Sequence, residues 1–81
     1  MPDNLKRATK ELATRLRAAR LAAGISQETL SDLTGIAYRR YQTLEAGTAN
    51  TTIKTLVRIA DALEVDVWDL LSGAAGKKSA D

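Results

Sequence analysis

The sequence predicts an all-α fold of five helices in one compact domain. Apolar residues recur at spacings of three and four through most of the chain, and the β-branched residues follow that period rather than alternating. Gly24, Gly35, Gly47 and Gly73 each follow an apolar-periodic stretch, where a helix is expected to stop. Residues 26 to 47 read as two short helices joined by a tight glycine-containing turn.

Asp3 is placed to cap a first helix running to about Ala23, with Leu5, Ala8, Leu12, Leu16, Ala19 and Ala23 as its apolar stripe. Gly24 closes that helix and Ile25 drops into the core. Ser26 caps the second helix, with Thr29 at the third helical position and Glu28 near the positive helix end. Leu30 and Leu33 form its inward row, Gly35 ends it, and Ile36 lies in the turn. Ser31 follows Leu30 in this helix, and its hydroxyl is expected to find an acceptor such as a backbone carbonyl of the preceding turn.

The third helix runs from about Tyr38 to Ala46, buries Tyr41 and Leu44, and stops at Gly47. Ala37 occupies its N-cap position, where Ser or Thr would stabilise by about 1 kcal/mol more, so packing has to override the local sequence. A polar loop covers 48–52, and the fourth helix, about Ile53 to Leu63, is expected to bury Ile53, Leu56, Ile59, Ala60 and Leu63. Asp66 caps the fifth helix, Asp69 sits in its first turn, and Val67, Leu70 and Leu71 face inward up to Gly73. The domain is therefore assigned to residues 1–73, and 74–81 to a flexible, small and polar tail.

Composition removes most functional classes. With 81 residues, 44% of them apolar and 27% charged, the chain suits one soluble globular domain. It has no cysteine and no histidine, which takes away the thiol nucleophile, the commonest general base and most transition-metal sites. The five glycines lie too far apart for a phosphate-cradling loop. An enzyme is not expected, nor a cofactor, a metal or a small-molecule ligand. No apolar run approaches the roughly 18 residues of a membrane span, and a cytoplasmic protein is expected.

The net charge of +2 is small, but its distribution is uneven. Lys6, Arg7, Lys10, Arg15, Arg17 and Arg20 face a single acid, Glu11, within the first helix; Arg39 and Arg40 form a second positive cluster. Asp61, Glu64, Asp66 and Asp69 gather towards the C-terminal third. One half can face phosphates while the other faces solvent or a partner.

With Tyr41 and Leu44 inward, Tyr38, Arg39, Gln42 and Thr43 fall on the free face of the third helix. A short helix with hydrogen-bonding and cationic side chains on its free face has the size and chemistry to enter the DNA major groove. The alternative is a solvated surface, with Tyr38 covering the turn and Arg39 and Arg40 hydrated. Trp68 also has two uses, as a plug for the monomer core or as an anchor for a partner.

From about Leu12 to Leu71 the sequence resembles the lambda-repressor/Cro-type (xenobiotic-response-element) helix-turn-helix family. The matching residues are Arg20 ahead of Gly24-Ile25-Ser26-Gln27-Glu28, Leu30 and Leu33, Gly35-Ile36, Leu44-Glu45-Ala46-Gly47, and Ile53-Lys54-Thr55-Leu56 through Ile59-Ala60-Asp61-Ala62-Leu63. The small five-helix outline is also similar to the controller proteins of restriction-modification systems. Two positions depart from the family pattern: Ser31 replaces the usual alanine, and Tyr38-Arg39-Arg40 is bulkier and more cationic than the usual start of the recognition helix.

The resemblance implies a lambda-repressor-like domain that binds double-stranded DNA, with the helix-turn-helix formed by the second and third helices. It implies a DNA-contacting set of Gln27, Ala37, Tyr38, Arg39, Arg40, Gln42 and Thr43. Gln27 would lie against a phosphate or brace the recognition helix, and Arg40 would sit close to the DNA backbone. Arg20 and Glu45 are implied to form a partly buried ion pair that sets the angle of the recognition helix. A single helix makes too few base contacts for a genomic site, so a homodimer on a pseudo-palindromic operator is expected. Val65, Val67, Trp68 and Leu71 are its candidate interface. The alternatives are an antitoxin that binds both its own promoter and a toxin, or a helix-turn-helix protein-interaction adaptor that has lost DNA binding.

Overall fold

The computed structural model describes residues 3–72. It contains α1 (Asn4–Ala22), α2 (Gln27–Thr34), α3 (Tyr38–Ala46), α4 (Ile53–Leu63) and α5 (Val67–Ser72), and no strand among the described residues. Gly73 as the stop of the fifth helix and the tail 74–81 lie outside the described residues.

Side-chain caps set most helix starts. The Asp3 carboxylate accepts from the Lys6 amide at 2.9 Å, and the Ser26 hydroxyl accepts from the Thr29 amide at 3.0 Å. Thr52, the last residue of the expected 48–52 loop, caps α4 by accepting from the Thr55 amide at 3.1 Å. The Asp66 carboxylate accepts from the Trp68 amide at 2.9 Å. Ala37 gives α3 no side-chain cap. Gly35 and Gly47 end α2 and α3 at φ 75° and 77°, a region where a Cβ is strained. Glu64 closes α4 in the same left-handed region, at φ 59°.

The core consists of Leu16, Leu30, Ile36, Tyr41, Leu44, Leu56, Ile59, Ala60, Leu63 and Leu70. α1 packs on α3 and α5, α2 packs on α3 and α4, and α4 packs on α5. α3 is thus held from two sides, which offsets its uncapped start.

The buried face differs from the sequence expectation in three helices. α1 buries Ala13, Leu16 and Arg20, with Leu12 and Ala19 half-buried, whereas Leu5, Ala8 and Ala23 are exposed. Leu5 borders an open cavity beside residues 47–50 instead of entering the core. In α2, Leu33 is 61% exposed and Thr34 is buried in its place. Ile53, the first residue of α4, precedes the core and is 59% exposed.

Hydrogen bonds make the polar α2 face tolerable in the interior. The Thr34 hydroxyl donates to the Leu30 carbonyl at 2.8 Å and accepts from the Ile36 amide at 3.3 Å. The Ser31 hydroxyl donates to the Ile36 carbonyl, in the turn that follows α2 rather than the one before it. The two hydroxyls tie the α2–α3 turn to α2 and fix where α3 begins.

Candidate nucleic-acid interface

α3 presents its candidate DNA-contacting residues above a buried base. Tyr41 and Leu44 are buried beneath it, and Tyr38, Arg39, Arg40 and Gln42 are exposed on its other side. The side chains of these four residues have no hydrogen-bond or ion-pair partner among the described residues. Thr43 is half-buried, and its hydroxyl donates to the Arg40 carbonyl at 2.7 Å, so it offers less than its exposed neighbours. Ala37 is exposed at the head of α3, where the first-turn amides have no side-chain cap.

Behind that face lies a charged network centred on the Glu45 carboxylate. Arg20 donates from Nε to Oε2 at 2.6 Å and from Nη2 to Oε1 at 3.1 Å. Its Nη1 donates to the Ile25 carbonyl at 2.8 Å, which ties the turn after α1 into the same cluster. Gln27 donates from Nε2 to Oε1 at 3.0 Å, and the Tyr41 hydroxyl donates to Oε2. The two charged side chains are 9% and 3% exposed, so the pair is shielded from water.

The ionisation of the cluster follows from that burial and bonding. Burial works to raise the Glu45 carboxyl, but hydrogen bonds from Arg20, Tyr41 and Gln27 outweigh it and hold the group below its ordinary value. The hydrogen bond to Glu45 raises Arg20 despite its burial. Burial, reinforced by the hydrogen bond to Glu45, pushes the Tyr41 hydroxyl far above its ordinary range. Arg20 and Glu45 are therefore charged and Tyr41 is neutral across the neutral pH range. Gln27 spends one Nε2 hydrogen on Glu45, a contact of the bracing kind, and keeps the other for a second acceptor.

The sequence reading missed the Tyr41 contribution. The i, i+4 spacing of Tyr41 and Glu45 on one helix was the available signal. The spacing of Tyr41 to Leu44 places the ring in the core but gives its hydroxyl no partner.

The four candidate interface residues separate by exposure. Trp68 is 66% exposed, so it does not plug the core, while Val65, Val67 and Leu71 are half-buried against the core. No described helix is long and apolar enough to cross a membrane.

Comparison with known proteins agrees with this architecture. The profile of the HTH_3 helix-turn-helix family matches residues 16–67, well over half of the 81-residue chain. The chain is similar to the restriction-modification controller protein C.AhdI from Aeromonas hydrophila, with 32% identity and a TM-score of 0.74 over 76% of this chain and 94% of that one. It is also similar to an HTH_3 family transcriptional regulator from Vibrio cholerae, with 26% identity and a TM-score of 0.79. That match covers 85% of this chain but only 39% of the Vibrio protein. With a family match spanning α2, its turn and α3, the chain belongs to the HTH_3 helix-turn-helix family of Cro/C1-type DNA-binding domains.

Proposed function

We propose that the protein is a sequence-specific transcription regulator that binds a pseudo-palindromic operator as a homodimer, in the manner of a restriction-modification controller. The observation that carries this reading is the outward face of α3, where Tyr38, Arg39, Arg40 and Gln42 are exposed and unpartnered above a buried, charge-locked base. A cationic, hydrogen-bonding face on a short helix has the size and chemistry to enter the major groove. The similarity to C.AhdI over 94% of that protein's length supports the controller assignment in particular.

In this reading Arg39 donates two hydrogen bonds to guanine O6 and N7, and Gln42 pairs with adenine N6 and N7. Each such pair discriminates against the wrong base by about 1–3 kcal/mol. Arg40 neutralises a backbone phosphate, and the Tyr38 ring packs on a thymine methyl or its hydroxyl donates to a phosphate. Gln27 and Glu45 hold α3 at its angle and do not read bases. Two protomers present their α3 helices to half-sites roughly 34 Å apart, one turn of B-DNA.

The test is binding to duplexes selected by the full chain from a random pool. The reading expects salt-dependent binding that is lost in the Arg39→Ala, Arg40→Ala double variant. A double variant that binds as well as the parent overturns the assignment of α3 as the reading helix.

A further inference from the structure

α3 is fastened at its two ends by different means. Its last turn is held through Glu45, which Arg20 grips from α1 and Gln27 from α2. Its first turn has no such grip of its own, because Ala37 supplies no side-chain cap. What holds the head of α3 is the residue before that cap, Ile36.

Ile36 is fixed at three points. Its side chain lies in the core, its amide donates to the Thr34 hydroxyl at 3.3 Å, and its carbonyl accepts from the buried Ser31 hydroxyl. No backbone amide among the described residues donates to that carbonyl, so Ser31 satisfies it alone. The Ile36 carbonyl and the Ala37 amide belong to one rigid peptide plane. The Ser31 bond therefore orients the plane from which α3 departs.

From this arrangement we infer that Ser31 is a positioning residue for base discrimination, acting through Ile36 on the head of α3. The inference rests on the proposed reading of α3 as the DNA-contacting helix, and deepens it by naming what sets that helix's starting point. Tyr38, Arg39 and Gln42 are exposed side chains rooted in the first five residues of α3. A two-bond pairing with a base edge requires such roots to stay within a fraction of an ångström of their place. Removing the Ser31 hydroxyl leaves the Ile36 carbonyl buried and unpaired, and the turn shifts to relieve it. Base pairings then lose their alignment, while the cationic side chains still meet phosphates, which tolerate the shift.

The test compares the full-length parent, Ser31→Ala, Ser31→Cys and Ala60→Gly on two duplexes of equal length, one selected by the parent and one unrelated. Ala60→Gly, on the buried face of α4, lowers stability without touching the turn. Ser31→Ala should bind the selected duplex about tenfold more weakly, the scale of one impaired base contact. The unrelated duplex and the slope of log affinity against log salt should stay parental. Ser31→Cys, whose thiol is a weaker donor, should fall between parent and Ser31→Ala, and carries the test if Ser31→Ala does not fold.

Amide exchange supplies a second readout. The Tyr41 N–H, which opens α3 by donating to the Ala37 carbonyl at 2.9 Å, should exchange faster in the variant. The Leu56 N–H, which opens α4 on the Thr52 carbonyl at 3.1 Å, should not. A parental ratio of selected to unrelated affinity in the folded variant overturns the inference and leaves the reading of α3 standing. So does a loss of ratio that Ala60→Gly matches, or one that leaves Tyr41 exchange unchanged, because the turn is then not the route. A reduced salt slope overturns it as well, since Ser31 would then bear on a phosphate contact. A parent that discriminates between no two duplexes overturns the reading of α3 and the inference together.

Discussion

Arg20 and Glu45, 25 residues apart, face each other through two N–H to oxygen bonds of 2.6 and 3.1 Å, and join α1 to the last turn of α3. A buried pair of this kind adds little net stability, because desolvation costs about what the attraction returns. Losing one partner is different, since it strands a charge. Glu45→Ala and Arg20→Ala are each expected to destabilise by about 3–5 kcal/mol in urea titration.

The double variant Arg20→Met, Glu45→Leu removes both charges and is expected to fold cooperatively. It leaves the buried Tyr41 hydroxyl without its acceptor, at a cost of about 1–3 kcal/mol. Adding Tyr41→Phe should recover most of that loss. A triple variant no more stable than the double would show that the hydroxyl finds another partner or water.

The same cluster gives stability a pH dependence at both ends. Glu45 is held below its ordinary value of 4.5 in the folded protein, so its contribution is complete above that pH. It is lost as pH falls through the lower folded value. Tyr41 is raised above its ordinary value of 10, so its contribution is complete below that pH and is lost as pH rises towards the higher folded value. Urea midpoints measured against pH should fall at the acid end in the parent and less steeply in the Arg20→Met, Glu45→Leu variant. On the alkaline side, Tyr41→Phe should flatten the curve.

Gly47 is constrained by more than its backbone angle. A Cβ there would lie 3.3 Å from the Lys10 Cα, whereas one at Gly24 meets nothing within 4 Å. Both glycines have positive φ, which costs a β-carbon about 1–2 kcal/mol. Gly47→Ala is expected to lower the melting temperature more than Gly24→Ala, and to weaken DNA binding by pushing the end of α3 away from α1. Equal melting shifts would mean that α1 yields at Lys10 without cost.

Trp68 is the chain's one tryptophan and is 66% exposed, so its fluorescence can report association directly. If α5 forms the dimer contact, emission should shift to shorter wavelength as protein concentration rises, and sedimentation should show a dimer. Trp68→Ala should weaken the dimer by about 2 kcal/mol or more, the size expected of an aromatic hot spot, with the fold retained. A parent that stays monomeric at high micromolar concentration, with unshifted emission, would remove α5 as the interface.

The helices themselves were legible in the chain, because they depend on local features. The caps at Asp3, Ser26 and Asp66 and the stops at Gly35 and Gly47 act within a few residues, and the three-and-four spacing declares a helix wherever it is packed. The family resemblance was legible for the same reason, since it rests on those stops and on the spacing between them. The outward position of Tyr38, Arg39 and Gln42 followed from one correct inference, that Tyr41 and Leu44 point inward.

What the sequence could not decide was which side of a helix meets its neighbours. Leu33 and Thr34 are adjacent, and hydrophobicity favours burying the leucine, but α2 is gripped by both α3 and α4 on the Leu30–Ser31–Thr34 side. Hydrogen bonds to Leu30 and Ile36 make the hydroxyl acceptable there. Likewise α1 leaves Leu5 outside although it lies on the apolar stripe, because α3 and α5 dock against the Ala13–Leu16–Arg20 side of the helix. Periodicity is a property of one helix, whereas burial is a property of the contact between helices, and that contact exists only in the tertiary structure.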